Sequence, residues 1–262
     1  MTKFTYLKFS IEENVAYIRL NQPKTLNAMS VDMAAELETA IDHANEQARA
    51  IVLTGEGRGF CSGANLTSGT IDLNDPERDM GVRLERVYNP LLTKMKNSSI
   101  PIVTAIRGPA AGIGSSMALM GDIIVAGRSA FFLQAFCNIG LVPDGGAPYL
   151  LSRAIGRVRT MELVLLGERF PAEKAYEAGL ITRLVDDEEV DDTAKELALK
   201  LASGPTKTIK LIRQLTWAAY DNPFEQQIAA ERDTQKIAGR TDDFIEGISA
   251  FREKRKAKFQ GK

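Results

Sequence analysis

The run CNIGLVPDGGAPYLL, residues 137–151, holds one acid, Asp144, between a proline and two glycines. Two chemistries compete for it. Pro-Asp-Gly-Gly is a turn signal, in which an aspartate bonds its own backbone. A lone carboxylate in apolar surroundings is instead a general base, because desolvation raises its pKa toward neutrality. The residues that would supply those surroundings are Phe131, Phe132, Leu133, Phe136, Leu141 and Val142.

Two glycine-bearing segments offer a chemistry carried by the main chain. Gly112-Ile113-Gly114 follows a strand-like run and opens a helix. The first N–H groups of a helix have no partner within it and attract negative charge. Cys61-Ser62-Gly63-Ala64 is a small-residue loop after another apolar run. Two such N–H groups from separate loops can hold a developing oxyanion, each donor worth roughly 3–4 kcal/mol in a transition state. The plainer alternative is a pair of close-packed turns. A dinucleotide fingerprint does not fit, since Met117 stands where its third glycine belongs and the segment lies mid-chain.

Residue counts prune other mechanisms. His43 is the single histidine, in the helical run VDMAAELETAIDHANEQ, where it reads as a surface residue. A Ser-His or Cys-His nucleophile would have to use it, and a zinc site would need it plus distant ligands. Neither is expected, and no metal site is expected. Two cysteines, Cys61 and Cys137, do not make a disulfide framework and suit a reducing compartment. A net charge of -1 gives no global field for nucleic acid or an anionic membrane. No apolar run approaches the roughly 20 residues of a membrane span. The start lacks the apolar core of a signal peptide, and the end, KFQGK, is not a Ser-Lys-Leu signal, so the cytoplasm is expected.

The elements that must position these groups follow from pattern. Residues 5–20 read as a hairpin turning at Glu13-Asn14. Ser30 can cap a helix over 31–45, with Met33, Leu37, Ala40, Ile41 and Ala44 at helical spacing. RAIVLTG, IPIVTAIRG and DIIVAG read as buried strands, and 65–78 as a polar loop. A helical stretch at 80–97 contains Pro90, which should kink or reset it. Beyond 146 helices are expected at 146–155, 157–167, 171–178, 186–203, 205–220, 222–237 and 241–258, with one strand, ITRLV. Alternating strands and helices make the class α/β. The last eleven residues, REKRKAKFQGK, hold six bases and one acid. They are either a solvated helix end or a local site for a polyanion such as phosphate.

The segments FCSGANL, IPIVTAIRGPAAGIGSSMALMGDIIVAGRSAFF, NIGLVPDGGAPYLLSRAIG, AYEAGLITRLVDD and SAFREKRKAKF, in this order, resemble the crotonase (enoyl-CoA hydratase/isomerase) superfamily nearly end to end. The resemblance implies a spiral of ββα units over 1–200 and a C-terminal helical oligomerisation region over 201–262. It implies an acyl-CoA ligand, no cofactor beyond the CoA moiety of the substrate, and a homotrimer or dimer of trimers. The oxyanion donors would be the N–H groups of Ala64 and Ile113. CoA contacts would fall on Lys24, Leu26, Ala28, Ser62 and Ala64, and on the basic C-terminal helix near Lys254. Gly112, Ser116 and Phe136 would line the acyl pocket.

The departures from that family's pattern carry the chemistry. Two glutamates that activate water in its hydratases would lie at Ser116 and Phe136, and neither is present. Asn65 replaces the usual acid after the first loop alanine. Asp144 stands where the family's Δ3,Δ2-enoyl-CoA isomerases place an acid. LERVYNPLL, GLVPDGG and the C-terminal AGR, DF, EG and SAF groups look most like the isomerases of phenylacetate breakdown, which act on a ring-epoxide acyl-CoA. The reading implied is an acyl-CoA isomerase with Asp144 as acid/base. The alternatives are a hydratase or other lyase of the same family and, further off, an RNA-binding or non-catalytic member.

Overall fold

Strands β1 (Leu7–Glu12) and β2 (Val15–Leu20) pair antiparallel, as the alternation requires. Glu13 and Asn14 both take positive φ, 50° and 64°, the geometry of a tight hairpin turn matched to strand twist. The structure is a computed structural model and describes residues 3–65, 72 and 74–262, so half of the expected loop over 65–78 lies outside the described residues. Helix α1 (Val31–Gln47) starts where expected: the Ser30 hydroxyl accepts a 3.1 Å bond from the Met33 N–H. It buries Met33, Leu37, Ala40, Ile41 and Ala44.

From β3 (Ala50–Gly55) the chain winds as a spiral. Each turn lays one strand in a long sheet, crosses into a short second sheet, and returns through a helix. β3 leads to Cys61, which bridges Ala110. β4 (Ile102–Ile106) leads through β5 (Pro109–Ala111) to α4 (Ile113–Leu119). β6 (Ile123–Gly127) leads through β7 (Phe131–Leu133) to α5 (Ala147–Leu166). β8 (Arg169–Pro171) closes the short sheet, followed by α6 (Ala172–Glu177), and β9 (Arg183–Val185) closes the long one. The orders are β1-β2-β3-β4-β6-β9 and β5-β7-β8.

Every residue of β3 and β4 is buried because the long sheet is covered on both faces. One face packs on α1, α4 and the helix over 89–96. On the other, Val52, Val103, Ala105 and Val125 meet Val190, Ala194 and Ala198 of α7 (Val190–Ala202).

The stretch containing Pro90 runs as α2 (Gly81–Arg83), a π-helical turn at Leu84–Tyr88, and α3 (Asn89–Lys96). The wider turn lets Asn89 bond the Leu84 carbonyl, so the ladder is reset just before the residue that has no N–H to give. The break expected at 156 is present: Gly156 has φ 77°, ψ 163° within α5.

Helices α8 (Thr206–Ala218), α9 (Phe224–Ala238) and α10 (Asp242–Arg252) complete the chain. Arg213 of α8 is buried and pairs with Asp122 at 2.7 Å, tying this region to the start of β6. The expected helix over 241–258 is shorter. It stops at Arg252, and Lys254 takes φ 53°. Acids of α10 pull the tail back: Asp243 accepts from the N–H groups of Gln260 and Gly261, and Glu246 from Arg255 and the Lys258 N–H. Lys254 therefore sits on a turn, not on a helix. Phe224, Ile228, Phe244, Ile245, Ile248 and Phe251 of α9 and α10 are exposed.

Candidate functional site

Two loops are stitched together first. The buried Asn27 side chain accepts from the Gln22 N–H at 2.8 Å and donates to the carbonyls of Glu56 and Gly59 at 3.0 and 2.7 Å. Leu26 and Asn27 both hold left-handed φ values, 52° and 56°, a conformation costly outside glycine and kept here by those bonds. Ser62 then donates its N–H to Leu26 and its hydroxyl to Thr25, both at 2.9 Å. Met29 bonds the Gly63 carbonyl, and Asn65 bonds the Met29 carbonyl, each at 2.8 Å. Lys24, Leu26 and Ala28 are thereby brought beside Ser62 and Ala64. Because the ladder uses the Asn65 N–H, the Ala64 N–H faces the opposite side.

Helix α4 begins flush against this loop. A Cβ on Gly114 would stand 2.4 Å from the Cys61 carbonyl oxygen, so only glycine allows the approach. Gly112 caps the helix at φ 51°, ψ -123°, a conformation reserved for glycine, and its hydrogen faces the Phe136 ring. Ile113 is the first helical residue. Among the described residues, neither its N–H nor that of Ala64 bonds a backbone carbonyl. The structure thus brings Gly112, at the start of α4, against Phe136 and against Gly63, the neighbour of Ala64.

Asp144 completes the group. Gly145, next to it, packs directly on Ile113 and Ser116: a Cβ there would lie 3.0 Å from Ile113 Cδ1 and 2.8 Å from Ser116 Oγ. The turn that carries Asp144 is thereby held against the first turn of α4. The Asp144 carboxylate does not do the bonding a turn aspartate would do. Its backbone carbonyl accepts from Ala147, but Oδ1 is buried without a hydrogen-bond partner, and α5 is capped by Gly146 with no side-chain bond. Burial pushes its pKa up to about 6. At neutral pH the group is therefore mostly ionised yet a far stronger base than an exposed aspartate.

The surroundings of Asp144 differ from expectation. Val142 is 81% exposed and shields nothing. Phe132 is in the core, and Phe131 lies under the Arg169 guanidinium at 4.5 Å. Tyr88, which the sequence did not mark, is the neighbour that matters. It is buried, donates to the Met29 carbonyl at 3.2 Å, and feels the charge of Asp144. Burial raises its pKa, Arg83 pulls it back, and Asp144 adds to the rise. Arg83 also donates to the Asn65 carbonyl at 3.2 Å. The π turn between them is what delivers both residues to the site, and LERVYNPLL with its proline was the only sequence signal.

Other candidates lie apart. Among the described residues no hydrogen bond or ion pair joins Lys254 to the loops at 22–29 and 61–64. His43 lies on α1 near Phe4 and Phe9. No group of three or more His, Cys, Asp or Glu side chains is arranged for a metal among the described residues. Two clefts elsewhere, of about 380 and 360 Å³, each contain a charge pair, Arg19–Asp191 in one and Arg213–Asp122 in the other.

A spiral of strand, strand and helix thus packs the turn of the half-buried Asp144 on the start of α4, beside backbone N–H groups that bond no backbone carbonyl among the described residues. The family profile described as Enoyl-CoA hydratase/isomerase matches residues 10–262. The chain belongs to this family. It is 43% identical over 254 residues to a 1,2-epoxyphenylacetyl-CoA isomerase of Escherichia coli K12, covering 96% of this chain and 97% of that one. It is 38% identical over 260 residues to a probable enoyl-CoA hydratase of Rhodobacter capsulatus, covering 98% of each. An enoyl-CoA hydratase subunit from Geobacillus kaustophilus superposes with a TM-score of 0.91 at 33% identity over the full length of both chains. Among the described residues no helix is long and apolar enough to cross a membrane.

Proposed function

We propose that the chain is an acyl-CoA isomerase in which Asp144 is the sole acid/base. The observation that carries this is the Asp144 carboxylate itself, half-buried with Oδ1 unpartnered, while Ser116 and Phe136 leave no second acid beside it. A thioester acidifies its α-carbon because enolate charge moves to oxygen. The Ala64 and Ile113 N–H groups receive that charge. Asp144 takes a proton from C2, and the C–H electron pair forms the C1–C2 double bond of the enolate. In a 3-enoyl thioester the electrons then flow back as C2=C3 forms, and Asp144 returns the proton at C4. The same enolate opens a route to rearranging a ring-epoxide thioester, and the 43% identity to an enzyme of that name supports this finer version.

Lys24, Leu26, Ala28 and Ser62 would hold the CoA part, with Lys254 contributing from the basic tail. No cofactor is required beyond the CoA of the substrate. The exposed apolar faces of α9 and α10 support a homotrimer or a dimer of trimers, which would also bring one subunit's tail to another's loops.

A hydratase is the second reading, favoured by the relative from Rhodobacter capsulatus. It requires water to be held without the two glutamates. Incubation with a 3-enoyl-CoA and with a phenylacetyl-CoA-like thioester in D₂O separates the readings. The isomerase gives deuterium at C2 and a shifted double bond, lost in Asp144→Asn; a 3-hydroxyacyl product from a 2-enoyl-CoA at comparable rate would overturn it.

A further inference from the structure

Two buried oxygens in this site have no hydrogen-bond partner, and they are complementary. Asp144 Oδ1 is an acceptor when ionised, and Ser116 Oγ carries a donor hydrogen. Among the described residues only four buried side-chain N or O atoms lack a partner, and these two flank one residue, Gly145. Ser116 lies one helical turn beyond Ile113, so both project on the same face of α4, toward the turn that carries Asp144. Tyr88, which feels the charge of Asp144, and the groups that act on Tyr88 are already committed. Tyr88 gives its hydrogen to the Met29 carbonyl, Arg83 donates to the Asn65 carbonyl and interacts with Tyr88, and Cys61 is held as a neutral thiol with its sulfur 3.8 Å from the Gly63 oxygen.

We propose that Ser116 is a positioning residue for Asp144: its hydroxyl donates to Oδ1 of the ionised carboxylate and leaves Oδ2 turned to the substrate α-carbon. This rests on the reading of Asp144 as the base. The bond fixes which oxygen accepts the proton and favours the charged form against desolvation. It also gives position 116 a task in this chemistry, that of a hydrogen-bond donor, which an ionised glutamate could not perform.

The test is the pH profile of α-proton exchange in D₂O with a 3-enoyl-CoA, measured for wild type, Ser116→Ala, Ser116→Cys, Asp144→Asn and the Asp144→Asn/Ser116→Ala double variant. Losing a hydrogen bond to a charged group should move the acid limb of kcat/KM upward by about one pH unit, a loss that approaches about tenfold well below the wild-type limb and vanishes at higher pH. KM for the thioester should stay near wild type. Ser116→Cys keeps the space filled with a poor donor, so its limb should also rise. The double variant should be no worse than Asp144→Asn alone. A limb that stays in place in both Ser116 variants, with rates lowered equally at every pH, would show that Ser116 only fills space and would overturn the proposal. Full exchange by Asp144→Asn would overturn the underlying assignment of the base, and the proposal with it.

Discussion

Replacing Asp144 by asparagine should make the protein more stable while removing its exchange activity. Burial raises the carboxyl pKa from 3.8 to about 6. Between those values the folded state binds more protons than the unfolded one, so stability falls as pH rises through that window. Above the folded value the full cost of an ionised, desolvated carboxylate is present; below about pH 4 it is absent. A shift of about two units corresponds to about 3 kcal/mol. Asp144 is only partly buried, and solvent screening roughly halves this, to about 1.5 kcal/mol. Asparagine has nearly the same shape and no charge, so the variant should gain that amount at pH 8. For a chain of this size the gain is a rise in Tm of about 4 °C at pH 8. At pH 4, where both side chains are neutral, the melting curves should coincide. The assay is thermal unfolding at fixed protein concentration across pH 4–8, beside the exchange assay. A variant that is less stable at pH 8, or whose gain is the same at pH 4 and 8, refutes the claim that Asp144 is held ionised against burial.

Gly145→Ala puts a Cβ 2.8 Å from Ser116 Oγ at φ 59°, and should displace Asp144 and lower kcat at least tenfold with little change in KM, measured by steady-state kinetics. Asn27→Ala leaves the Gln22 N–H and the Gly59 and Glu56 carbonyls without their partner, and should cost about 2–3 kcal/mol by denaturant unfolding while raising KM for acyl-CoA. Of the two thiols, exposed Cys137 should react with a thiol reagent in the native protein, whereas Cys61, fully buried with its pKa pushed up to about 12, should react only on unfolding; reaction of both at equal rates refutes the burial assigned to Cys61.

What could be read from the residues was what depends on neighbours in sequence. The Ser30 cap, the turn at Glu13-Asn14 and the break at Gly156 each arise within a few residues, and all three stand where the pattern placed them. The strands of the second sheet escaped notice because three residues are too few for a period, and their partners lie twenty or more positions away. The end of α10 was misjudged for a similar reason. Nothing local stops a helix at Arg252; the stop comes from Asp243 and Glu246 holding the returning tail. At the site, glycine spacing pointed to the segment Gly112-Ile113-Gly114, because close backbone approach demands glycine, whereas the role given to Asp144 came from the family resemblance and not from its turn. Tyr88 and Arg83 had no such mark, since a π turn decides where they point. Val142, apolar and two residues from Asp144, faces water instead, because proximity in sequence does not fix the direction of a side chain in a turn.

The cradle formed where the 61–64 loop meets the start of α4 is made of main chain, and that has an evolutionary consequence. In the proposed mechanism the hardest electrostatic task, holding the charge of the thioester oxygen, falls to peptide N–H groups that every residue but proline possesses. Mutation of the side chains at 64 and 113 leaves those donors in place so long as the fold persists. The side chains at 116, 136 and 144 are no part of that main chain and can be exchanged singly. A lineage built on this spiral can therefore acquire a new reaction by altering one carboxylate while its common intermediate stays protected, so that divergence of function need not pass through loss of catalysis.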